Sequence, residues 1–491
     1  MVIGFVRKLL SKFPYVKKAL KFILSPYDGL LHQKELSRYG AWLEDERQES
    51  VNKLRQFDYN PLISIITPTY NTPEKYFHEM VRSVISQQYQ NWELVIVDDA
   101  STQPDIRELI KKYAEKDRRI KYKFLEKNHH IAGATNEAIV IASGEFISLF
   151  DHDDVIYPNT LIEIVAALNK NNSIDFIYTD EDKIIDEKGT RGDPYFKPDW
   201  NPDFLYSVNY ITHFTTIRRA LLVKAGFEDG AYNGAQDWEL FFRVTRSIQQ
   251  ERIHHIPKVL YSWRVHNQST AKSMDSKPYV IKAQGSAIQT DLNNKKYNNY
   301  TLNQDELYPG QWQLSFMQKE HKKLSILVTG DQDVAAYQYL KNYSDTIEVL
   351  HEKNFNTQDV LSKVNGEYLL IIDRQIKSKD FTWMSTMVGD ASRTEIGFVV
   401  ARHSSKQGVY ENMHTLLGES ITELVQQMGR KTLTEHYYRT TRYNIPSVPQ
   451  GSVAMVEVIK LKNVYKNSLS DASRAVANKG YRNLYNPYVK V

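Results

Sequence analysis

The sequence predicts an α/β chain, with a mostly parallel sheet covered by helices on both faces and a second, smaller α/β unit behind it. Two observations in residues 61–150 carry the first part. Strand-like apolar runs alternate with segments of helical periodicity, the pattern of a parallel sheet built from strand–helix–strand units. Those runs also end in polar clusters, and ligands of such sheets sit beyond the carboxyl ends of the strands. A fainter echo of the same plan after residue 320 carries the second part.

Leu62 to Thr67 (LISIIT) reads as a buried strand, and Thr72-Pro73 as a cap with proline in the first turn of a helix reaching about Gln88. Trp92 to Val97 is a second strand and ends at Asp98 and Asp99. Pro104 to Lys116 is helical, Ile120 to Leu125 strand-like and Ala132 to Ala142 helical, and Glu145 to Phe150 is the strand that delivers Asp151. The polar clusters are Thr67 to Asn71, Asp98-Asp99, and Asp151, His152, Asp153 and Asp154. Three carboxylates on one turn raise one another's pKa unless a cation compensates them, and oxygen ligands on a tight turn suit Mg²⁺ or Mn²⁺. A nucleotide fits the same edge, with Tyr70 against a base, Asp98 or Asp99 accepting from its N–H, and a metal holding its phosphates.

Composition narrows the alternatives. The 491 residues contain no cysteine, so disulfides, zinc–thiolate sites and thiol nucleophiles are excluded, as expected of a cytosolic chain. No apolar run reaches 18 residues, and the N-terminus lacks the apolar core of a secretory signal. Neither G-x-G-x-x-G after the first strand nor G-x-x-x-x-G-K-[ST] occurs, which disfavours a dinucleotide enzyme and a P-loop NTPase. Six bases (Arg7, Lys8, Lys12, Lys17, Lys18, Lys21) precede the first acid, Asp28, and apolar residues among them recur at steps of three and four. That pattern predicts a basic amphipathic helix, kinked or split at Pro14, that either lies on an anionic membrane surface or packs on the protein's own body with its lysines outward. Basic stripes interleaved with aromatics are missing from the globular part, so no nucleic-acid partner is expected.

Six segments together resemble glycosyltransferase family 2, inverting enzymes of the GT-A fold (Rossmann-like) that use nucleotide-sugar donors. They are 64–102 (SIITPTYN…VIVDDAST), 134–154 (ATNEAIVIASGEFISLFDHDD), 178–184 (YTDEDKI), 196–203 (FKPDWNPD), 234–244 (GAQDWELFFRV) and 255–271 (HIPKVLYSWRVHNQSTA). The resemblance covers roughly residues 60 to 275 and is nearest to bacterial enzymes of surface-polysaccharide assembly. It implies that Pro68, Tyr70 and Asp98 hold the nucleobase, that Asp151 meets nucleotide and metal, and that Asp153 ligates the metal directly. It implies further that Asp237 is the base for the acceptor hydroxyl, His266 a further metal ligand and Arg264 a diphosphate contact. Asp180, Asp182 and Lys183 would line the sugar pocket. Asp237 also stands where an Asp caps a helix. A carboxylate base and a divalent Lewis acid address the two ends of one in-line displacement, and a single displacement inverts the anomeric carbon. The Q-x-x-R-W motif of processive synthases is absent around Trp263.

In the second half, Leu324 to Val328 echoes the first strand, Ile347 to Leu350 the second, and Gly366 to Asp373 the run from Gly144 to Asp151. Arg374, Gln375 and Ile376 replace His152, Asp153 and Asp154, so the echo lacks the metal carboxylates. The expected organisation is an amphipathic segment over 1–58, a catalytic domain over 59–295, a linker over 296–319 and a degenerate GT-A-like domain over 320–491 that binds acceptor or partner. The expected activity is a peripheral, inner-face transferase moving a sugar from a UDP- or dTDP-sugar to a lipid-linked or free glycan with Mn²⁺ or Mg²⁺, alongside partner glycosyltransferases. Two other readings stay open, a non-catalytic scaffold of a polysaccharide-assembly complex and a metal-dependent nucleotidyltransferase; the latter has no need of Asp237.

Overall fold

A computed structural model describes residues 33–47, 56–265, 278–305, 308, 310–317, 322–343, 347–376, 382–402, 416–427 and 433–489. The expected basic amphipathic segment over the first 25 residues lies outside them, as does His266. Nearly continuous apolar runs become β1 (Ile63–Thr69) and β2 (Trp92–Asp98), buried almost throughout, as strands covered on both faces must be. With β3 (Ile120–Phe124) and β4 (Phe146–Leu149) they form the parallel half of a nine-stranded sheet. The other half is mixed: β5 (Val155–Ile156), β6 (Phe176–Ile184), β7 (Arg191–Tyr195), β8 (Thr215–Arg218) and β9 (Ile253–Arg264). The order is β3-β2-β1-β4-β8-β6-β9-β5, with β7 paired to β6. The chain is thus mixed α/β, as predicted.

The helix after β1 spans Glu74–Ile85, three residues shorter than expected, and its N-cap is Pro73 with no side-chain cap bond. Thr72 does not cap it: its buried hydroxyl has no hydrogen-bond partner. Helix 33–47 packs on this unit through Tyr39 and Leu43, and Trp42 meets Phe196 edge-on at 5.3 Å.

Residues 296–319, read from the sequence as a connection, hold a hairpin of β10 (Tyr300–Gln304) and β11 (Trp312–Phe316). The second sheet follows, with β12 (Leu324–Thr329), β13 (Ile347–Glu352), β14 (Tyr368–Ile372), β15 (Ile396–Ala401), β16 (Tyr443–Ile445), β17 (Val453–Glu457) and β18 (Arg482–Asn486). Its wiring repeats that of the first. β12 is parallel to β13 and β14, β14 and β15 are antiparallel to β17, and β15 is parallel to β18. In the first sheet β1 is parallel to β2 and β4, β4 and β6 are antiparallel to β8, and β6 is parallel to β9. The repeat extends to atoms. Ser64 Oγ donates to Glu93 and accepts from Gly144 N at 2.8 Å, and Ser325 Oγ donates to Glu348 and accepts from Gly366 N at 2.8 Å. Both glycines are required, since a Cβ on either would come within 2.5 Å of that serine.

Candidate active site

At the carboxyl ends of β1, β2 and β4 the chain opens into a cavity of about 990 Å³. Pro68 and Tyr70 line it from β1 and its following turn, Asp99 from the turn after β2, and Asp151 and His152 from the turn after β4. Asp237 lines it from the first turn of helix Gln236–Arg246, with His213 and Glu228 between. Three strand ends and one helix start therefore meet at one hollow. Of the residues expected there, Pro68, Tyr70, Asp151 and Asp237 are brought together. Tyr70 is 45% exposed, open for stacking.

Asp98 lies behind the cavity wall, fully buried, with Arg107 Nε at 2.7 Å and the amide of Ser101 at 3.2 Å. Its neighbour Asp99 reaches the cavity and accepts from the amide of His129 at 2.6 Å. Asp180, Asp182 and Lys183 do not line it either. Asp180 accepts from the amide of Lys197 at 2.8 Å and faces His255 Nε2 at 3.0 Å. Asp182 is closed by the hydroxyls of Tyr39 (2.8 Å), Tyr157 (2.7 Å) and Ser262, and burial pushes its carboxyl up to about 6. Lys183 pairs with Asp193 and lies 5.7 Å from the ring of Trp263. Arg264 is buried over the ring of Tyr76, pairs with Glu79 and donates through Nε to the carbonyl of Asp153 at 2.7 Å. These four side chains hold the wall rather than face the hollow.

His213, which the sequence reading missed, sits at the electrostatic centre. Its Nε2 is 3.3 Å from Asp151 Oδ2, its Nδ1 is 3.7 Å from Glu181 Oε2, and its ring stacks on Tyr261 at 4.7 Å. Burial opposes charge on the imidazole, but the two carboxylates outweigh it and hold the pKa well above its usual value. Asp151 shifts the opposite way and is lowered: burial raises it, but His213 outweighs burial. Glu181, buried against Lys197 and the Thr212 hydroxyl, is held down at about 2 despite its desolvation. Asp237 moves the other way. Burial, reinforced by Asp151, raises its carboxyl, while Asn209 Nδ2 donates to it at 2.8 Å. It does not cap its helix, whose N-cap is Ala235. Glu228, buried beside it, is raised well above the carboxylate range by desolvation and by Asp237.

Asp151, Asp154 and His213 each offer one ligand atom, all within 4.8 Å of one another. Two carboxylate oxygens and an imidazole suit Mn²⁺ or Mg²⁺. Asp154, rather than Asp153, belongs to this group, although its oxygens already accept from the Tyr261 hydroxyl and from the amide of Arg264 at 2.6 Å. Its carboxyl is raised well above normal by burial and by Asp153 and Asp151, a repulsion that a cation would relieve. The donor set fits a divalent metal.

Residues 64–226, which contain β1 to β8 and the Asp151 turn, match the family model Glycosyl transferase family 2. This segment is a glycosyl transferase family 2 domain. An uncharacterized protein (y4gI) of Sinorhizobium fredii is 43% identical over 251 residues, covering 50% of this chain and 28% of that one. The O-antigen biosynthesis protein RfbC of Myxococcus xanthus is 27% identical over 427 residues, covering 78% and 33%. The putative teichuronic acid biosynthesis glycosyltransferase TuaG of Bacillus subtilis is 39% identical over 97 residues, covering 20% and 38%. The chain thus spans a third or less of the length of the first two relatives. Asp237 lies beyond the stretch that the family 2 model matches, in a helix that lines the same cavity.

Proposed function

We propose that the chain transfers a sugar from a UDP- or dTDP-sugar to a hydroxyl of a glycan, with inversion, in the assembly of a bacterial surface polysaccharide. The single observation that carries this reading is that one cavity joins an exposed tyrosine after β1, the Asp151–His213 pair and a carboxylate of raised pKa at Asp237. The named roles of RfbC and TuaG support the pathway class. Pro68 and Tyr70 flank the base, with Asp99 beside it. Asp237 takes the proton of the acceptor hydroxyl, whose oxygen forms the new bond to the anomeric carbon as the bond to the diphosphate oxygen breaks. The electron pair leaves on the nucleoside diphosphate, and the proton stays on Asp237 until release. Its raised pKa suits a group that must hold a proton during the displacement. A divalent metal held by Asp151, with His213 and Asp154 in reach, would neutralise the leaving diphosphate. The acceptor we infer is a lipid-linked or free glycan at the inner face of the membrane; the basic amphipathic pattern over the first 25 residues supports this. No helix among the described residues is long and apolar enough to cross a membrane.

The test is nucleoside diphosphate release from a panel of UDP- and dTDP-sugars with Mn²⁺ or Mg²⁺, comparing wild type with Asp151→Asn and Asp237→Asn. Metal-dependent release lost in both variants is expected. Failure of every donor to bind, measured by calorimetry, would refute a transferase and favour a scaffold, and release of inorganic diphosphate would favour a nucleotidyltransferase.

A further inference from the structure

A second, smaller cavity of about 210 Å³ meets the first at Thr212, Gly234 and Asp237. Its far wall comes from outside the family 2 segment: Gln284 of helix Pro278–Asn294, Gly310 of the β10–β11 turn, and Tyr437 of helix Leu433–Thr440 in the C-terminal unit. That helix is fixed in place. Thr434 Oγ1 accepts from the amide of Phe196 at 3.1 Å and donates to the carbonyl of Pro194 at 3.3 Å. Asn201 and Asn444 exchange two hydrogen bonds, at 2.8 and 3.1 Å. Tyr437 rests against Tyr195 at 5.1 Å, and His436 and Thr440 both bind Gln311, next to Gly310.

The lining is that of a carbohydrate subsite. Two aromatic side chains, Trp238 and Tyr437, stand with two amides, Asn209 and Gln284, and one carboxylate, Asp237. Asn209 spends its Nδ2 on Asp237, and its buried Oδ1 has no hydrogen-bond partner among the described residues. A buried acceptor left unpaired is unfavourable, and a turn of this amide toward the cavity would let a ligand hydroxyl satisfy it. The volume falls below the roughly 300–1,000 Å³ of a whole small-molecule site, so it suits one ring of a longer glycan.

We propose that this cavity receives the accepting sugar ring, and that Tyr437 and Gln284 make the C-terminal unit and its connection determinants of acceptor specificity. The inference rests on the transferase reading above. Asn209, donating to Asp237, orients the carboxylate toward the hydroxyl of that ring.

The experiment uses the full chain loaded with UDP or dTDP, whichever binds by calorimetry. Saturation-transfer NMR then measures binding of the methyl glycosides of glucose, galactose, mannose, rhamnose and N-acetylglucosamine. At least one glycoside is expected to bind nucleotide-loaded wild type. Its affinity should fall about fivefold or more in Tyr437→Ala and in Gln284→Ala, the loss of about one contact, and survive in Tyr437→Phe, which keeps the ring. Thermal melts confirm that each variant is folded. Equal affinity in all variants, or no glycoside binding to the nucleotide-loaded chain, would overturn this inference alone. Absence of nucleotide binding would overturn the transferase reading and this inference with it.

Discussion

Glu181→Gln tests whether the wall behind His213 is electrostatically organised as the distances indicate. Glu181 Oε2 accepts from Lys197 Nζ at 3.0 Å, the Thr212 hydroxyl at 2.7 Å and the amide of His213 at 3.3 Å. Its pKa is held at about 2 against an ordinary 4.5, so its ionised form contributes about 3 kcal/mol at neutral pH, at 1.36 kcal/mol per unit. The sign follows from a depressed folded pKa. The contribution is nearly complete above pH 4.5 and is lost as pH falls toward 2, with roughly half of it left near pH 3. Glutamine removes it and leaves the Lys197 ammonium, wholly buried, with three oxygen acceptors and Asp180 as its remaining counter-charge. Hydrogen exchange of amides in β6 and residues 212–218, read by mass spectrometry, reports local opening without assuming one unfolding step. The variant should open more easily by about 3 kcal/mol at pH 7, and the gap should shrink by about half near pH 3. A gap under about 1 kcal/mol at pH 7, or one that does not change with pH, would refute the argument.

Asp237→Asn should lower turnover by about 10²–10⁴-fold while nucleotide affinity, read by calorimetry, stays within about twofold. Tyr70→Ala should weaken nucleotide binding about tenfold, the worth of one stacked base, and unchanged affinity would remove Tyr70 from the base site. Arg393→Met tests the contact between the two units. Arg393 Nη1 lies 2.6 Å from the buried Asp203, and breaking such a pair costs about 3–5 kcal/mol. Asn444 at 2.8 Å and Arg482 at 3.4 Å remain beside Asp203, so the loss should fall near about 3 kcal/mol, read as a lowered melting temperature.

The parallel strands were legible because burial on both faces writes them as apolar runs: β1, β2 and β4 start and end within two residues of the sequence reading. The hairpin of β10 and β11 was missed, although Trp312, Leu314 and Phe316 alternate inward, because Asn and Lys around it dominate the local composition. In the site, acids at strand ends were found and residues set by tertiary pairing were not. YTDEDKI suggests that Asp180 and Asp182 share a ligand face. Register shifts around Asp180 and Glu181 break the alternation, and it is Glu181 that backs His213. His213 is a single histidine in an unpatterned stretch, and only the folding of β8 beside β4 and β6 brings it to Asp151. Asp154 comes within 4.8 Å of Asp151 and His213, and it is held there because β5 begins at the next residue and pairs with β9, which delivers the Arg264 amide to it.

The two sheets share wiring and the same serine–glutamate clasp, yet their strand-end acids have opposite surroundings. Asp151 opens to a cavity and meets His213. Asp373, its counterpart after β14, accepts from the Thr329 hydroxyl at 2.5 Å and the amide of Gly451 at 2.8 Å, so both of its oxygens are already satisfied within the protein. Arg374, Gln375 and Ile376 follow it where His152, Asp153 and Asp154 follow Asp151, so no further carboxylate joins it on that turn to share a metal. The second unit thus repeats the strand pairing of the first without its acid cluster. What it adds to the first is a rigid surface, held by Asn444, Arg393 and Thr434, that brings Tyr437 to the rim of the Asp237 cavity. Substitutions at Tyr437 would therefore alter that rim without touching Asp151, His213 or Asp237.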